Sequence, residues 1–536
     1  MGTIYVDSTW AGATTGAQSS PLNSFSQIAA IVQDGDTIAL SCARTFRETL
    51  PAAAIEKNNL RIVTYGTGAR PKIMGSNRVS NWSFNATYGL YYTNLGSNVG
   101  GNVTENGVPL SFVPWTTNLA TTAPLIPEGG FSFDFNTYNL YVRPGYRIDD
   151  VFEASVRLYG IDGLPLSFHS GLYIEGVEIV GTSRHGIWLH NRGPVEVCDV
   201  VVRVIGGLKE PSFWLGNGIE INRGSSGSVV RDCLIEDIFD SAISPQIYDP
   251  SAYTLLGATV KYNTLRRCGM GGVEVSTQTA NNIITGVQVH HNLAEDIGMN
   301  CWSGDRGGTA YWSANNGGAA SGVTEVLFAC NGARRAKRGY LSGNSFGINR
   351  CVKNWFEDVE TLFYCSKSIA SSREQRDVIV GNVGVRCTNG LYQAGSQAQY
   401  VELRNNTVVE FVTGINMPSN ASAVVDVNNT VFKGAGTAFS VGAGTLTETY
   451  NRVDSRATPG KTLDATSAQM DLSSYVSSDG QLIVPAGTTL EGLAAANPLA
   501  LAGTYLSGVQ LQTGRMRPGQ CPVGAFHGVL PRAERA

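Results

Sequence analysis

The chain alternates apolar and polar positions in short runs. GIEIN (218–222) sets Ile219 and Ile221 on one face of an extended segment and Glu220 and Asn222 on the other, and GVEVS (272–276) repeats the arrangement around Glu274. Each run predicts a half-buried strand with its glutamate turned away from the core. Sandwiches and barrels contain such strands too, so the fold has to come from the larger period.

That period is marked by an Asn or Cys three residues after an apolar position. It recurs in VEVCDVVV, VRDCLIEDI, VKYNTLRRC, VHHNLAEDI, INRCVKNWF, IVGNVGVRC, LRNNTVVEF and VNNTVFKG, which gives anchors at Cys198, Cys233, Asn263, Asn292, Cys351, Asn382, Asn406 and Asn429. Cys330 is a weaker anchor in the one wide gap, and Val177 takes the anchor position of an earlier coil. About ten residues after each anchor comes the GIEIN type of strand. Variable spacing around a fixed inner grammar predicts stacked coils of three short strands with loops of different length. In such a stack every position becomes a column at the strand spacing of ~4.7–4.9 Å. Asn side chains in one column can bond one another and the backbone, forming a ladder. Cys in the same column reads as a small buried thiol, so a stack of free thiols is expected and no zinc spacing is seen. Glu236 and Asp237, Arg266 and Arg267, Glu295 and Asp296 fall in register on three coils, and predict a salt-bridge ladder.

Composition narrows the picture. The chain has 536 residues, 63 glycines, 15% charged residues and a formal charge of -4, which suits an all-β repeat and leaves no electrostatic footprint for nucleic acid. The run ARRAKR (333–338) reads as a solvated turn. No apolar run approaches the ~20 residues of a membrane-spanning helix. MGTIYVDS carries no visible signal peptide, so an extracellular or virion-associated location is expected by another route.

The coil grammar resembles the right-handed parallel β-helix of the pectate-lyase-like superfamily. IYVDS and PLNSFSQIAAIVQDGDTIAL look like that group's first strand and capping helix, FNTYNLYVRPG (135–145) like a β-insertion, and RPGQCPVGAF (517–526) like its closing segment. The implied organisation is a cap and first coils over 1–79, a β-insertion over 80–150, the main β-helix over 151–450 and C-terminal coils over 451–536. The superfold carries polysaccharide lyases, glycoside hydrolases and phage tailspikes, so the resemblance implies a polysaccharide partner without choosing a reaction.

In this group the groove lies along strands of the GIEIN type, and their outward residues are the first candidates. One column reads Trp188, Glu220, Ser244, Glu274, Ser303, then Tyr392 and Asn416. A second reads His190, Asn222, Gln246, Ser276, Asp305. Glu274 and Asp305 are the preferred catalytic pair, roughly 8 Å apart, with Glu220 in reserve roughly 9–10 Å from Glu274. Inverting glycosidases hold acid and base ~6.5–9.5 Å apart and retaining ones ~5–5.5 Å, so inversion is the expected stereochemistry of a hydrolase. Taken singly, each acid reads more readily as a solubilising surface charge than as a catalyst, and only the cluster as a whole brings the two readings level. Loops at 206–217 and 305–318 would wall the column, with Trp214, Trp302, Tyr311 and Trp312 as sugar-stacking surface or as loop core. A lyase would instead use Ca²⁺ held by Glu220, Glu274 and Asp305, with Arg223 or Arg306 as base or neutraliser. A non-catalytic glycan-binding tailspike or adhesin, trimeric in the tailspike case, is the third reading.

Overall fold

The computed structural model describes residues 2–472 except 97–99, 146–150, 164–167, 211–212, 250, 299–306, 319, 370–373, 419–422, 429, 450 and 466, and adds the short strands Leu482–Ile483 and Arg515–Met516. The predicted closing segment at 517–526 lies outside the described residues. No helix among them is long and apolar enough to cross a membrane.

Two long sheets of parallel strands, of fourteen and twenty-one strands among the described residues, run the length of the molecule. One coil shows how they are made. Ser241–Ile247 lies along the groove side, Thr259–Lys261 joins the fourteen-stranded sheet, and Thr264–Cys268 returns to the other sheet before the chain enters Gly271–Thr277 one coil higher. Every inward position pairs with its own kind: Ile219 with Ile243, Val273 with Tyr311, Tyr311 with Tyr340. These side chains form one continuous apolar core down the lumen. The coils approach closely at Gly218 and Gly272, where a Cβ would meet the carbonyl oxygens of Ala242 and Ala310 at 2.5 Å.

The asparagine ladder is present, with a corrected membership. The side-chain oxygens of Asn263, Asn292, Asn331, Asn354, Asn382 and Asn406 each accept the backbone N–H of the preceding rung at 2.8–3.0 Å, beginning at Cys233. Asn331 and Asn354 hold the places assigned to Cys330 and Cys351. Cys351 instead sits on a core-facing strand position beside Phe328, and Cys198 pairs with Arg231, so Val200 is the residue below Cys233. Two neighbouring candidates, one polar and one thiol, satisfy the same spacing rule, and only the register separates them. Among the described residues seven cysteines are free. Cys330 is disulfide-bonded, which corrects the expectation of a purely thiol stack.

The charge ladder extends well beyond three coils. Asp237, Arg267, Asp296, Arg335, Asp358, Arg386 and Glu410 occupy one bend on successive coils, all with φ between 50° and 57°. A left-handed backbone costs a non-glycine residue roughly 1–2 kcal/mol. Paired Arg to Asp bonds, such as Arg267 to Asp237 at 2.7 and 2.8 Å, partly offset it. ARRAKR is therefore no solvated turn. It lies in the strand Gly332–Gly343, where Arg334 and Arg335 face Glu295 and Asp296.

At the N-terminus a single 3-10 helix, Phe25–Ala30, stands where a capping helix was expected. Ser24 and Gln27 form its capping box, and Phe25 stacks on Phe46 at 4.7 Å. Between Ser76 and Ser155 two small sheets, built mainly from antiparallel pairs, enclose their own core around Phe131, Phe133, Leu140 and Phe152. Phe112 of this unit packs edge-on against Phe239 at 6.2 Å, next to the groove strand that begins at Ser241.

The ladder and the charged bend make a quantitative contrast. Asn331→Ala strands the Asn292 amide and the Val289 carbonyl in a dry interior, where each unpaired group costs ~1–3 kcal/mol. Arg386→Ala removes a half-exposed pair worth less than about 1 kcal/mol. Urea unfolding of the two variants should differ several-fold in lost stability; equal losses would contradict the ladder's role.

Candidate active site

The outward column of the groove strands runs Trp188, Glu220, Ser244, Glu274, Trp312, Leu341, Tyr364, Tyr392, Asn416. Trp312 stands where Ser303 was expected, because the chain from Thr309 to Asn315 is a groove strand and not a loop. The same register puts Ala314 beside Ser276, the place assigned to Asp305. Asp305, Trp302 and Arg306, together with the side chain of Trp214, lie outside the described residues. Tyr311 is no sugar-stacking residue. Strand parity turns it inward, where it is fully buried and its hydroxyl donates to the carbonyls of Asn292 and Gly332 at 3.0 and 2.6 Å.

Glu220 is completely buried and wrapped in donors. Its Oε1 accepts from Trp188 Nε1 at 2.9 Å and Asn222 Nδ2 at 3.3 Å, and its Oε2 from Asn217 Nδ2 at 3.0 Å and Gln246 Nε2 at 2.8 Å. His185 Nε2 lies 3.3 Å from Oε2. The Asn217 backbone N–H donates to His185 Nδ1, so a neutral imidazole carries its proton on Nε2, facing the carboxylate. Arg184 Nε lies at 3.3 Å from that same Nε2. The shorter bond, 3.1 Å from the Asn217 amide, and the carboxylate facing Nε2 set this tautomer over a competing donation from Arg184 Nε–H. Burial pushes His185 down to about 4, and it is uncharged at neutral pH. Desolvation opposes ionisation of Glu220, but its neighbours prevail and hold it below the usual carboxylate range. Trp188, Asn222 and Gln246, expected to bind substrate, are thus committed to Glu220.

Other predicted binding residues are similarly occupied. Arg223 pairs with Asp249, donates to Tyr253 Oη at 2.9 Å and lies 4.8 Å over the Tyr253 ring. His190 stacks on Trp188 at 5.5 Å, and burial pushes it down to about 4. Neither of its ring nitrogens has a hydrogen-bond partner among the described residues.

Glu274 has a different environment. It is 4% exposed and accepts from two hydroxyls, Ser241 Oγ at 2.8 Å and Ser276 Oγ at 2.9 Å, and from Gln278 Nε2 at a long 3.5 Å. Burial first, then the charge of Asp240, raises its carboxyl to about 7. Two carboxylates of one column are therefore driven apart: Glu220 stays charged and Glu274 keeps its proton near neutrality. Trp312 stands one strand above Glu274, half-buried, with its indole N–H unpartnered among the described residues.

Sequence reasoning missed Asp240, Ser241 and Asn217, and it reads His185 as a bystander more readily than as a lyase group. Asp240 and Ser241 enter the groove just ahead of AIS, the strand that was noted, and Asn217 just ahead of GIEIN. A rule that looks one or two residues upstream of each groove strand would have found all three.

No protein-family model and no curated protein matches the chain. Among solved structures, XylC in complex with xylose is similar at 12% identity and a TM-score of 0.53, over 87% of this chain and 86% of that one. A structure described as a glycoside hydrolase gives 9% identity and a TM-score of 0.48 over 87% and 98%. Pectate lyase Pel9A gives 12% and 0.37 over 87% and 82%. The likeness to XylC and the long parallel ladders agree on one fold, a parallel β-helix.

The raised carboxyl has a thermodynamic signature. An unfolded glutamate releases its proton near 4.5, while folded Glu274 keeps it to about 7. The native state then holds the extra proton between these values, so stability falls as pH rises through that window. Glu274→Gln should remove this loss and be more stable than the parent above pH 7 by about 3 kcal/mol at most, with no such advantage below pH 4. Denaturation curves at both pH values check it; an advantage independent of pH would contradict the assignment.

Proposed function

We propose that this chain cleaves a polysaccharide of bacterial surface or capsular type by hydrolysis, with inversion, and that Glu274 is the general acid. The observation that carries the proposal is a buried carboxyl in the groove column whose ionisation burial and Asp240 oppose, one strand from an indole N–H that has no partner among the described residues. In the reaction water attacks the anomeric carbon as the glycosidic C–O bond breaks. Glu274 gives its proton to the leaving oxygen, and a second carboxylate takes one from the water.

Asp240 is the favoured base. It adjoins Ser241, which bonds Glu274, and its charge is the main electrostatic influence on the Glu274 carboxyl. Asp305 competes for the role. Glu220 stands two strand spacings from Glu274, roughly 9–10 Å, beyond the ~5–5.5 Å of a nucleophile pair. Saturated with donors, it acts as an anionic anchor that positions Trp188, Gln246 and His185. The aromatic column continues through Tyr364 and Tyr392, stacked at 5.5 Å, which gives the groove length for several sugar units. An extracellular or phage-associated role fits such a substrate.

The test is incubation with a panel of bacterial exopolysaccharides, following reducing ends and unsaturated products together. Reducing ends alone are expected. Glu274→Gln should lower turnover ~10²–10⁴-fold while glycan binding survives. Asp240→Asn and Asp305→Asn in parallel identify the base. Turnover retained by Glu274→Gln would sink the assignment, unsaturated products lost in EDTA would establish a Ca²⁺-assisted lyase instead, and binding without turnover would establish an adhesin.

A further inference from the structure

The lumen is apolar over most of its length, but it turns polar in the coils between Ser342 and Gln399. Asp377, on the strand Gln375–Val380, is fully buried. Its carboxylate accepts from Tyr340 Oη at 3.0 Å and from Gln375 Nε2 at 3.0 Å, and it forms no ion pair with a basic side chain among the described residues. Gln375 and Gln393 are fully buried as well, and Gln399 is 4% exposed. Gln375 Oε1, Gln393 Oε1 and both ends of the Gln399 amide have no hydrogen-bond partner among the described residues.

The register brings these groups together. Arg376 pairs with Tyr400, which stacks Gln375 against Gln399 one strand spacing apart. On the facing sheet Ser342, Cys365 and Gln393 run in one column. Gln375 Nε2 reaches Ser342 Oγ at 3.2 Å and joins the two sheets, and Gln393 spends its own amide nitrogen on the carbonyl of Ala394 at 2.9 Å. The result is a carboxylate and a serine hydroxyl, with three amide side chains whose oxygens are unclaimed, inside three coils of a dry core.

An unpaired buried polar atom is destabilising, and an unpaired buried carboxylate more so. The asparagine ladder a few residues away is fully paired, whereas here even Asn349, which pairs with Asp377 across the strands, leaves its buried Nδ2 without a partner among the described residues. Water would satisfy the amide oxygens, but it would not relieve the burial that opposes ionisation of Asp377 and raises its carboxyl above the ordinary range despite bonds from Gln375, Ser342, Tyr340 and Cys365. A hard cation satisfies both, since it binds oxygen ligands. One carboxylate with no second acid balances a single positive charge, whereas a divalent ion would leave an excess. Among the described residues no cluster of three His, Cys, Asp or Glu side chains could hold a metal, so this amide-rich group differs in kind from a transition-metal site.

We propose that the lumen binds a monovalent hard cation, sodium or potassium, through Asp377 and the amide oxygens of Gln375, Gln393 and Gln399. The ion stitches two coils from inside and stands apart from the groove, on the opposite side of the strand wall.

The full chain, prepared in N-methylglucamine chloride, is titrated with NaCl, KCl or CaCl2 at constant ionic strength while its thermal midpoint is followed. NaCl or KCl should raise the midpoint saturably by several degrees, as expected for a ligand of the native state alone. Asp377→Asn should lose the response. If that variant does not fold, Gln399→Ala should shift the half-saturating concentration at least about tenfold, by the loss of one ligand. A crystal soaked in a thallous salt should show an anomalous peak among the three glutamines. A midpoint equal in all salts, a response to calcium alone, or only water at these oxygens would overturn the proposal.

Discussion

Everything in this molecule depends on parallel stacking at one strand spacing. Because each coil lies directly on the next, every side chain meets its own counterpart above and below. A column therefore works only if its residue type can satisfy itself in repetition. Ile and Val do so by packing, Asn by passing its carboxamide up the ladder, and Asp and Arg by alternating in sign. The same rule gives the groove its straight row of functional groups and gives the lumen its cluster of glutamines.

Within the groove, the stack turns similar sequences into different chemistry. Glu220 and Glu274 occupy equivalent positions in nearly identical strands, yet one is enclosed by five donors and the other meets two hydroxyls, one long amide bond and a neighbouring acid. The difference comes from the preceding turns. Asn217 enters beside Glu220 and helps hold its charge, while Asp240 enters beside Glu274 and opposes it. Burial magnifies both effects, because no water screens them.

The fold was legible because its period is repeated many times, so single errors of register cancel. Individual positions lack that redundancy. Cys330 with Asn331, and Cys351 with Asn354, both fit the anchor spacing, and the choice rests on which side chain reaches the next backbone amide. Tyr311 and Trp312 sit side by side in an apparent loop. One-residue parity sends the first into the core and the second to the groove, and no composition rule decides between them. Asp305 was placed by counting from the wrong strand start. The interior polar cluster was invisible for a different reason: its members come from two sheets and three coils, and each alone reads as a surface glutamine.

The most direct test of the account is the protonation of Glu274 itself. The protonated-carboxyl infrared band, taken as the difference between the parent protein and Glu274→Gln, is titrated across roughly pH 4 to 9. The account predicts a band that persists past the ordinary glutamate range and disappears near 7, and a lower midpoint in an Asp240→Asn background. A band already lost by pH 5, or a midpoint indifferent to Asp240, would contradict it.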